Sequence, residues 1–412
     1  MTEYVLSPEE IVHSQAMLRR KKRILFCFVA PLLLFISISF VLPIGTMLSR
    51  SVYHPVVAEL IPETILALES WDESTGDLPD ENVVGIFTSE LKVLAQIRDS
   101  GKLAGDVNRL FPGASSLVKS TARRLKKTET DKLPQTFAAL SAIKPTWNDP
   151  ELWRAIKKSG RRFTDNFYLT ALDLTRVDSG EIEARSTQIY IQLYAKSLKL
   201  ALYITLLTIL IGYPLAYYLV SIPPRIANVL MICVLLPFWT SLLVRTTSWI
   251  ALLQTNGVIN SVLQSLHIIN EPLEMLYTQF ATIIAMTHIL LPFMVLPLYS
   301  VMKGIDPSYL RAALSLGGKP IPAFVRIYMP MTVPGLAAGS LLVFIISIGY
   351  YITPALVGGT DGQMISNIIA FHMQSSNNWE LAAALGSLLL AVILFMYAIY
   401  DRIVGVSNIK LG

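Results

Sequence analysis

Three cations, Arg311, Lys319 and Arg326, lie in a stretch running from Asp306 to Leu336, DPSYLRAALSLGGKPIPAFVRIYMPMTVPGL. It sits between two long apolar runs but is neither long nor apolar enough to span a bilayer. What it can do is present charge on short helices, not make or break bonds. No G-x-x-x-x-G-K-[ST] phosphate loop occurs anywhere in the chain, so it carries no nucleotide-hydrolysis motif of that kind. The five histidines (His13, His54, His267, His288, His372) have no metal-ligand spacing. The two cysteines, Cys27 and Cys233, fall inside apolar runs and read as small buried hydrophobes. No catalytic and no metal residues are expected.

Asp306-Pro307 opens a helix: the carboxylate caps free N–H groups, and Pro307 sits where a missing N–H costs nothing. The helix should run to about Leu316. Gly317-Gly318 then ends it, since glycine tolerates the left-handed conformation found just past many helix ends. Pro320 and Pro322 forbid a simple continuation, which predicts a second short helix from Pro322 to Met329.

This stretch resembles the coupling loop of inner-membrane permease subunits of ATP-binding-cassette importers: E-A-A, three residues, G, nine residues, I-x-L-P. Here stand Arg311-Ala312-Ala313, Gly317 and Ile327-Tyr328-Met329-Pro330. Arg311 replaces the usual glutamate and Met329 the leucine. The resemblance implies a cytoplasmic helix pair docked on an ATPase through Asp306, Pro307, Leu310, Arg311, Ala312, Ala313, Gly317, Gly318, Phe324, Ile327 and Pro330. The alternative is an amphipathic connector with no partner.

The elements around it must be membrane spans. The chain has 412 residues, of which 53% are hydrophobic and 15% charged, and its mean hydropathy is +0.52. Runs of about 20 apolar residues match the hydrocarbon thickness, and in lipid such runs must be helical. The fold class expected is all-α: six transmembrane helices with a large, mostly helical extracytoplasmic insertion between the first two. Residues 1–23 form a polar N-terminal segment ending in Arg19-Arg20-Lys21-Lys22-Arg23, a positive-inside anchor. The first span is 24–48, longer than a signal-peptide core and so retained. The insertion is 50–199, with helices expected over Ser89–Leu110, broken at Gly101, and over Pro150–Leu174, capped by Asp149. The permease core is 200–401. Its spans are near Leu200–Val220, Ile226–Leu253, Leu276–Val301, Thr332–Leu356 and Leu381–Tyr400, with the coupling loop at 303–330. Residues 402–412 form the tail. Pro214 should bend the second span, and Tyr213, Tyr217 and Tyr218 suit a headgroup belt. Six spans place both termini and the coupling loop in the cytoplasm, and the basic flanks Arg225, Lys319, Arg326 and Arg402 agree. The net charge of +5 is read as orientation information, not as a nucleic-acid signal.

Arg245 is the strongly charged residue within a span. Such a cation must snorkel, grip neighbouring carbonyls or line a wet path. His288 reads as a satisfied interior histidine. No intramembrane acid accompanies them, which argues against an ion-coupled secondary carrier or channel, the alternative class. A membrane-anchored scaffold built around the insertion is a third reading. The stretches at 212–220, 236–260 and 358–369 are similar to permeases of spermidine/putrescine importers and their opine-importing relatives. This likeness covers about 193–400 and the first span, not 55–185. It implies a bacterial inner-membrane importer subunit for polyamine- or opine-type solutes. It also implies two ATPase subunits carrying ATP and Mg, a second and non-identical permease, and an extracytoplasmic solute-binding protein. Phe238, Trp239, Thr240, Ser241, Arg245, Trp249, Asn256 and Tyr350 are the candidate translocation path, with Phe238, Trp239 and Trp249 able to offer cation–π faces to an amine or simply to pack against neighbouring helices.

Overall fold

The computed structural model describes residues 8–73, 75–177 and 181–404. The chain divides after Asp165 into two compact units. Both are helical; among the described residues the one sheet is a small antiparallel hairpin, Leu174–Arg176 with Ile182–Ala184.

The first unit begins with a continuous helical run from Pro8 to Arg50. Lys21–Arg50 is long and apolar enough to cross a membrane. A π-helical turn, Ser37–Val41, precedes Pro43. Proline cannot donate to the carbonyl four residues back, and its ring collides with it; widening the preceding turn relieves both. The same device recurs at Phe324–Tyr328, before Pro330.

Beyond the span, the chain passes through a paired neck. His54 N–H donates to Arg162 O at 2.8 Å, and Thr164 N–H donates to Val52 O at 2.9 Å. Behind the neck the buried Asp106 carboxylate meets His54 Nε2 at 3.2 Å and Arg109 Nη1 at 3.0 Å. The helices between are held by an aromatic core. Trp147 and Trp153 are fully buried with ring centroids 5.8 Å apart, and each packs against Phe87. Their indole N–H groups donate to Thr121 Oγ1 and to Trp147 O, so neither polar end is left unpaired.

Two helix expectations are corrected here. The 89–110 helix is two, Glu81–Ile97 and Ser100–Leu110, and the break lies at Arg98 with φ 66°, not at Gly101. The Pro150–Leu174 helix stops at Ser159; a second helix covers Asn166–Ala171, and Leu174 opens the hairpin. Asp149 caps the first of these through Glu151 N–H at 2.9 Å, as its type and position suggest.

In the second unit three long helices form the centre: Tyr190–Ser221, Gln279–Lys303 and the run Pro320–Gly349. Close approach needs small residues. A Cβ on Gly212 would stand 2.9 Å from Met294 Cγ, and one on Gly335 would stand 2.9 Å from Pro297 O. On Gly339 it would stand 2.9 Å from Met294 Sδ and 3.1 Å from Met294 O. Ile204, Ala216, Leu290, Met294, Leu298 and Val343 fill the core between these helices. Trp379–Arg402 is a further candidate span. With Lys21–Arg50, five helices among the described residues are long and apolar enough to cross a membrane, and a bent pair raises this to six.

That pair replaces the unbroken 226–253 span. Pro224–Trp239 and Leu242–Ser265 meet at 97°. Pro237 weakens the end of the first helix, and Thr240 Oγ1 donates back to Pro237 O at 2.8 Å. Ser241 Oγ starts the second helix by accepting from Val244 N–H at 3.2 Å. The 332–356 span is also corrected. Its helix begins at Pro320 and ends at Gly349, with a separate short helix Ile352–Val357. No second short helix exists over 322–329, because prolines in a first turn leave no partner unsatisfied. Cys27 and Cys233 are exposed free thiols in this single chain, not buried ones. On a spanning helix the outer face is apolar too, so an apolar run does not imply burial.

Candidate functional site

The Asp306-Pro307 start builds the segment as its residues suggest. Asp306 Oδ1 accepts from Ser308 N–H at 2.8 Å, and the helix runs Ser308–Ser315. Those hydrogen bonds, first from the Ser308 backbone and then from its hydroxyl, hold the Asp306 carboxyl below the usual carboxylate range, and the nearby Arg311 charge adds to this. A lowered folded-state value means the cap is charged at neutral pH and is lost only as pH falls through that value. Asp306→Ala should therefore fray the helix and reduce coupled uptake a few-fold at neutral pH. Asp306→Asn, which keeps the acceptor, should reduce it less. Equal loss in the two variants would show that the charge, not the cap, matters.

Gly317 ends the helix at φ 88°. No residue of Ser308–Ser315 is buried. Just beyond it Leu316 is 89% exposed and Ile321 77% exposed, two large apolar side chains on a polar turn. Arg311 and Ala312 are exposed beside them, and Leu310 and Ala313 are half-buried. Pro307, Gly318 and Pro330 are exposed and Ile327 half-buried.

Phe324 turns inward. Its ring packs 5.1 Å from Tyr217, 5.4 Å from Tyr328 and 6.4 Å from Tyr213. Tyr213 OH also meets Thr332 Oγ1 at 3.0 Å. Tyr213 and Tyr217 thus anchor the segment, while Tyr218, 54% exposed, keeps an outward face. Their i, i+4 spacing placed them on one helix face; what that face met was not legible from spacing.

The path candidates gather at two breaks. Phe238, Trp239, Thr240 and Ser241 form the 97° corner, with Phe238 against Phe293 at 5.6 Å. Arg245 Nη2 donates to Thr240 O at 2.9 Å across the corner, while its Nε is buried without a partner. Trp249, one turn on, donates from Nε1 to His288 Nδ1 at 3.3 Å. Tyr350 follows the end of the Met329–Gly349 helix, and its carbonyl accepts from Ser366 Oγ at 2.8 Å. Thr246 and Thr353, which composition did not single out, bridge the two breaks at 3.4 Å. Asn256 stands apart, exposed in the following loop. The residue that organises that loop is the buried Asn260, which bonds Thr255 O and both main-chain groups of Leu273.

The second half of the chain has relatives. Residues 208–405 match the family model "Binding-protein-dependent transport system inner membrane component". The spermidine/putrescine transport system permease protein PotB of Salmonella typhimurium (strain LT2) is 36% identical over 224 residues, 54% of this chain and 78% of that protein. PotB of Escherichia coli (strain K12) is 35% identical over 222 residues, covering 81% of that protein. The inner membrane ABC transporter permease protein YdcU of the same organism is 30% identical over 227 residues and 70% of its length. A crystal structure of a bacterial ABC transporter that imports the acidic polysaccharide alginate is similar over 55% of this chain and 81% of that one, with 17% identity and a TM-score of 0.46. With a bundle of apolar helices, a short exposed helix closed by Gly317, and this extent of identity to known permeases, the chain belongs to the family of inner-membrane permease components of binding-protein-dependent transport systems.

Proposed function

We propose that this permease is one of two non-identical membrane subunits of an ATP-driven importer with the type I permease fold, and that its cargo is a polyamine or a related small organic amine. The observation that carries the coupling role is the Ser308–Ser315 helix: capped, with no buried residue, and followed by exposed Leu316 at its end and exposed Ile321 at the start of the next helical run. An exposed apolar pair beside a cation is what a groove on a partner protein would cover. In this reading both termini and the 306–330 segment are cytoplasmic, and residues 50–199 lie outside. Two ATPase subunits bind ATP and Mg, and a solute-binding protein delivers cargo from outside. The amine cargo is supported by the identity to spermidine/putrescine permeases.

The geometry supplies a route for the stroke. One end of the segment joins the Gln279–Lys303 helix, the other the Pro320–Gly349 run of 30 residues. At about 1.5 Å per residue that run is a lever about 45 Å long. Phe324 keys its base to the Tyr190–Ser221 helix. Its far end is the Gly349 break, close to the path candidates. Closing the ATPase pair on ATP would then tilt two helices together and shift the bundle between inward- and outward-open states, driven by the differential affinity of ATP for the two.

The test is reconstitution of the full complex in vesicles, with uptake of labelled spermidine and ATP hydrolysis read together. Arg311→Glu should weaken assembly or lower cargo-stimulated hydrolysis several-fold, because the exposed cation would no longer complement acidic groups in the ATPase groove. Uptake that persists without an ATPase would overturn the reading in favour of an ion-coupled carrier. Unchanged hydrolysis and uptake would remove Arg311 from the contact.

A further inference from the structure

One helix ends on a cation, and a second ends near the same corner. Pro224–Trp239 terminates at the Thr240 corner, and Met329–Gly349 terminates at Tyr350. A helix C-terminus carries roughly half a negative charge. Arg245 donates to Thr240 O at 2.9 Å. Trp249 holds the nearby imidazole by donating to its Nδ1, so that nitrogen carries no proton of its own. The helices around Arg245 contain no aspartate or glutamate, and no ion pair to Arg245 occurs among the described residues. Among the described residues the guanidinium is met by one main-chain carbonyl, Thr240 O at the end of Pro224–Trp239. That environment suits a compact cation in general and not arginine in particular. It is also loosely held: one hydrogen bond is made, and Nε is buried with no acceptor.

We propose that the Thr240 corner is a cation subsite on the translocation path, that Arg245 fills it as a tethered surrogate in the unloaded permease, and that an ammonium group of the cargo displaces it. The inference rests on the amine-cargo reading above. A polycation crossing beside a fixed arginine would be repelled. A mobile arginine that yields its carbonyl to the cargo removes that objection and leaves the subsite occupied when no cargo is present. The side chain can move because its five N–H donors sit on a long stem, and only one is engaged.

The experiment uses the complete reconstituted importer with saturating loaded binding protein. The rate of spermidine uptake by Arg245→Ala, whatever its size, is the reference for that variant. Guanidinium chloride at low-millimolar concentration, against sodium chloride of equal ionic strength, should slow that variant several-fold by filling the vacated subsite. The wild type, already filled, should be unaffected. If Arg245 is only a staple across the corner, guanidinium will instead restore the variant or leave it unchanged, and either result overturns the proposal. Should Arg245→Ala fail to assemble, the wild type decides. Modification of Arg245 by phenylglyoxal, read by peptide mass, should rise when spermidine-loaded binding protein is docked, and constant labelling overturns the proposal. Absence of spermidine uptake by the wild type would sink the cargo reading and this inference with it; wild-type uptake without the guanidinium effect sinks this inference alone.

Discussion

ATP-driven uptake should fall about tenfold in Gly317→Val, while the amount of protein in the membrane should stay near normal. The substitution meets no atom, since nothing lies within 4 Å of a Cβ built at Gly317. Its effect is conformational. Gly317 holds φ 88°, and a β-branched residue there costs about 1–3 kcal/mol. The turn relieves that strain by leaving the left-handed region, which swings Ser308–Ser315 relative to the Pro320–Gly349 run. An energy of this size, applied to a docking equilibrium, corresponds to roughly a five- to 150-fold shift. Gly317→Asn is the control, because asparagine tolerates this region and should retain most activity. Binding of the solute-binding protein should survive in both variants. Parallel loss of that binding and of uptake in Gly317→Val would mean that the turn supports the whole fold and not the stroke. Gly318 works differently: a Cβ there would lie 2.7 Å from Ala313 O, so its constraint is contact with the main chain.

Gly339→Leu should destabilise the folded permease itself. A Cβ at Gly339 would stand 3.1 Å from Met294 O and 3.3 Å from Met294 Cα. Main-chain atoms in the middle of the Gln279–Lys303 helix cannot move aside without parting it from Pro320–Gly349. Overpacking of this kind costs about 1–3 kcal/mol, sometimes more. For a unit of this size it should lower the melting temperature in detergent by roughly 2–12 °C, and the amount of inserted protein should fall with it. Gly386→Ala is the matched comparison, as nothing lies within 4 Å of its Cβ; it should melt close to wild type. Equal melting of the Gly339 variant and wild type would show that the two helices are not packed through this residue.

What could be read before any coordinates was local chemistry. Asp149-Pro150 and Asp306-Pro307 marked helix starts because carboxylate capping and an unneeded N–H are properties of adjacent residues. Gly317 marked a stop for a similar reason. Span identity followed from apolar length, although the Tyr190–Ser221 and Pro320–Gly349 helices each begin about ten residues earlier than apolarity alone suggests. Polar first turns belong to a helix as readily as apolar ones. The corner at Thr240 was not legible, because Pro237 is tolerated in many spanning helices, and the break depends on hydroxyl groups competing with the ladder. Arg98 at φ 66° gave no signal either, since its residue type argues against that conformation. The inward turn of Phe324 depends on Tyr213 and Tyr217, about 110 residues earlier in the chain, and periodicity carries no such long-range pairing.

The hydrogen bonds joining Val52 to Thr164 and His54 to Arg162 mean that a whole helical body hangs from two adjacent strands of chain. To the membrane anchor, such an attachment is topologically a short hairpin, whatever hangs beyond it. The entropy of closing so large a loop is offset within the body by its own packing. A change in the length of the body between Val52 and Thr164 therefore need not shift the anchor, because the stem alone sets where the two chain ends meet.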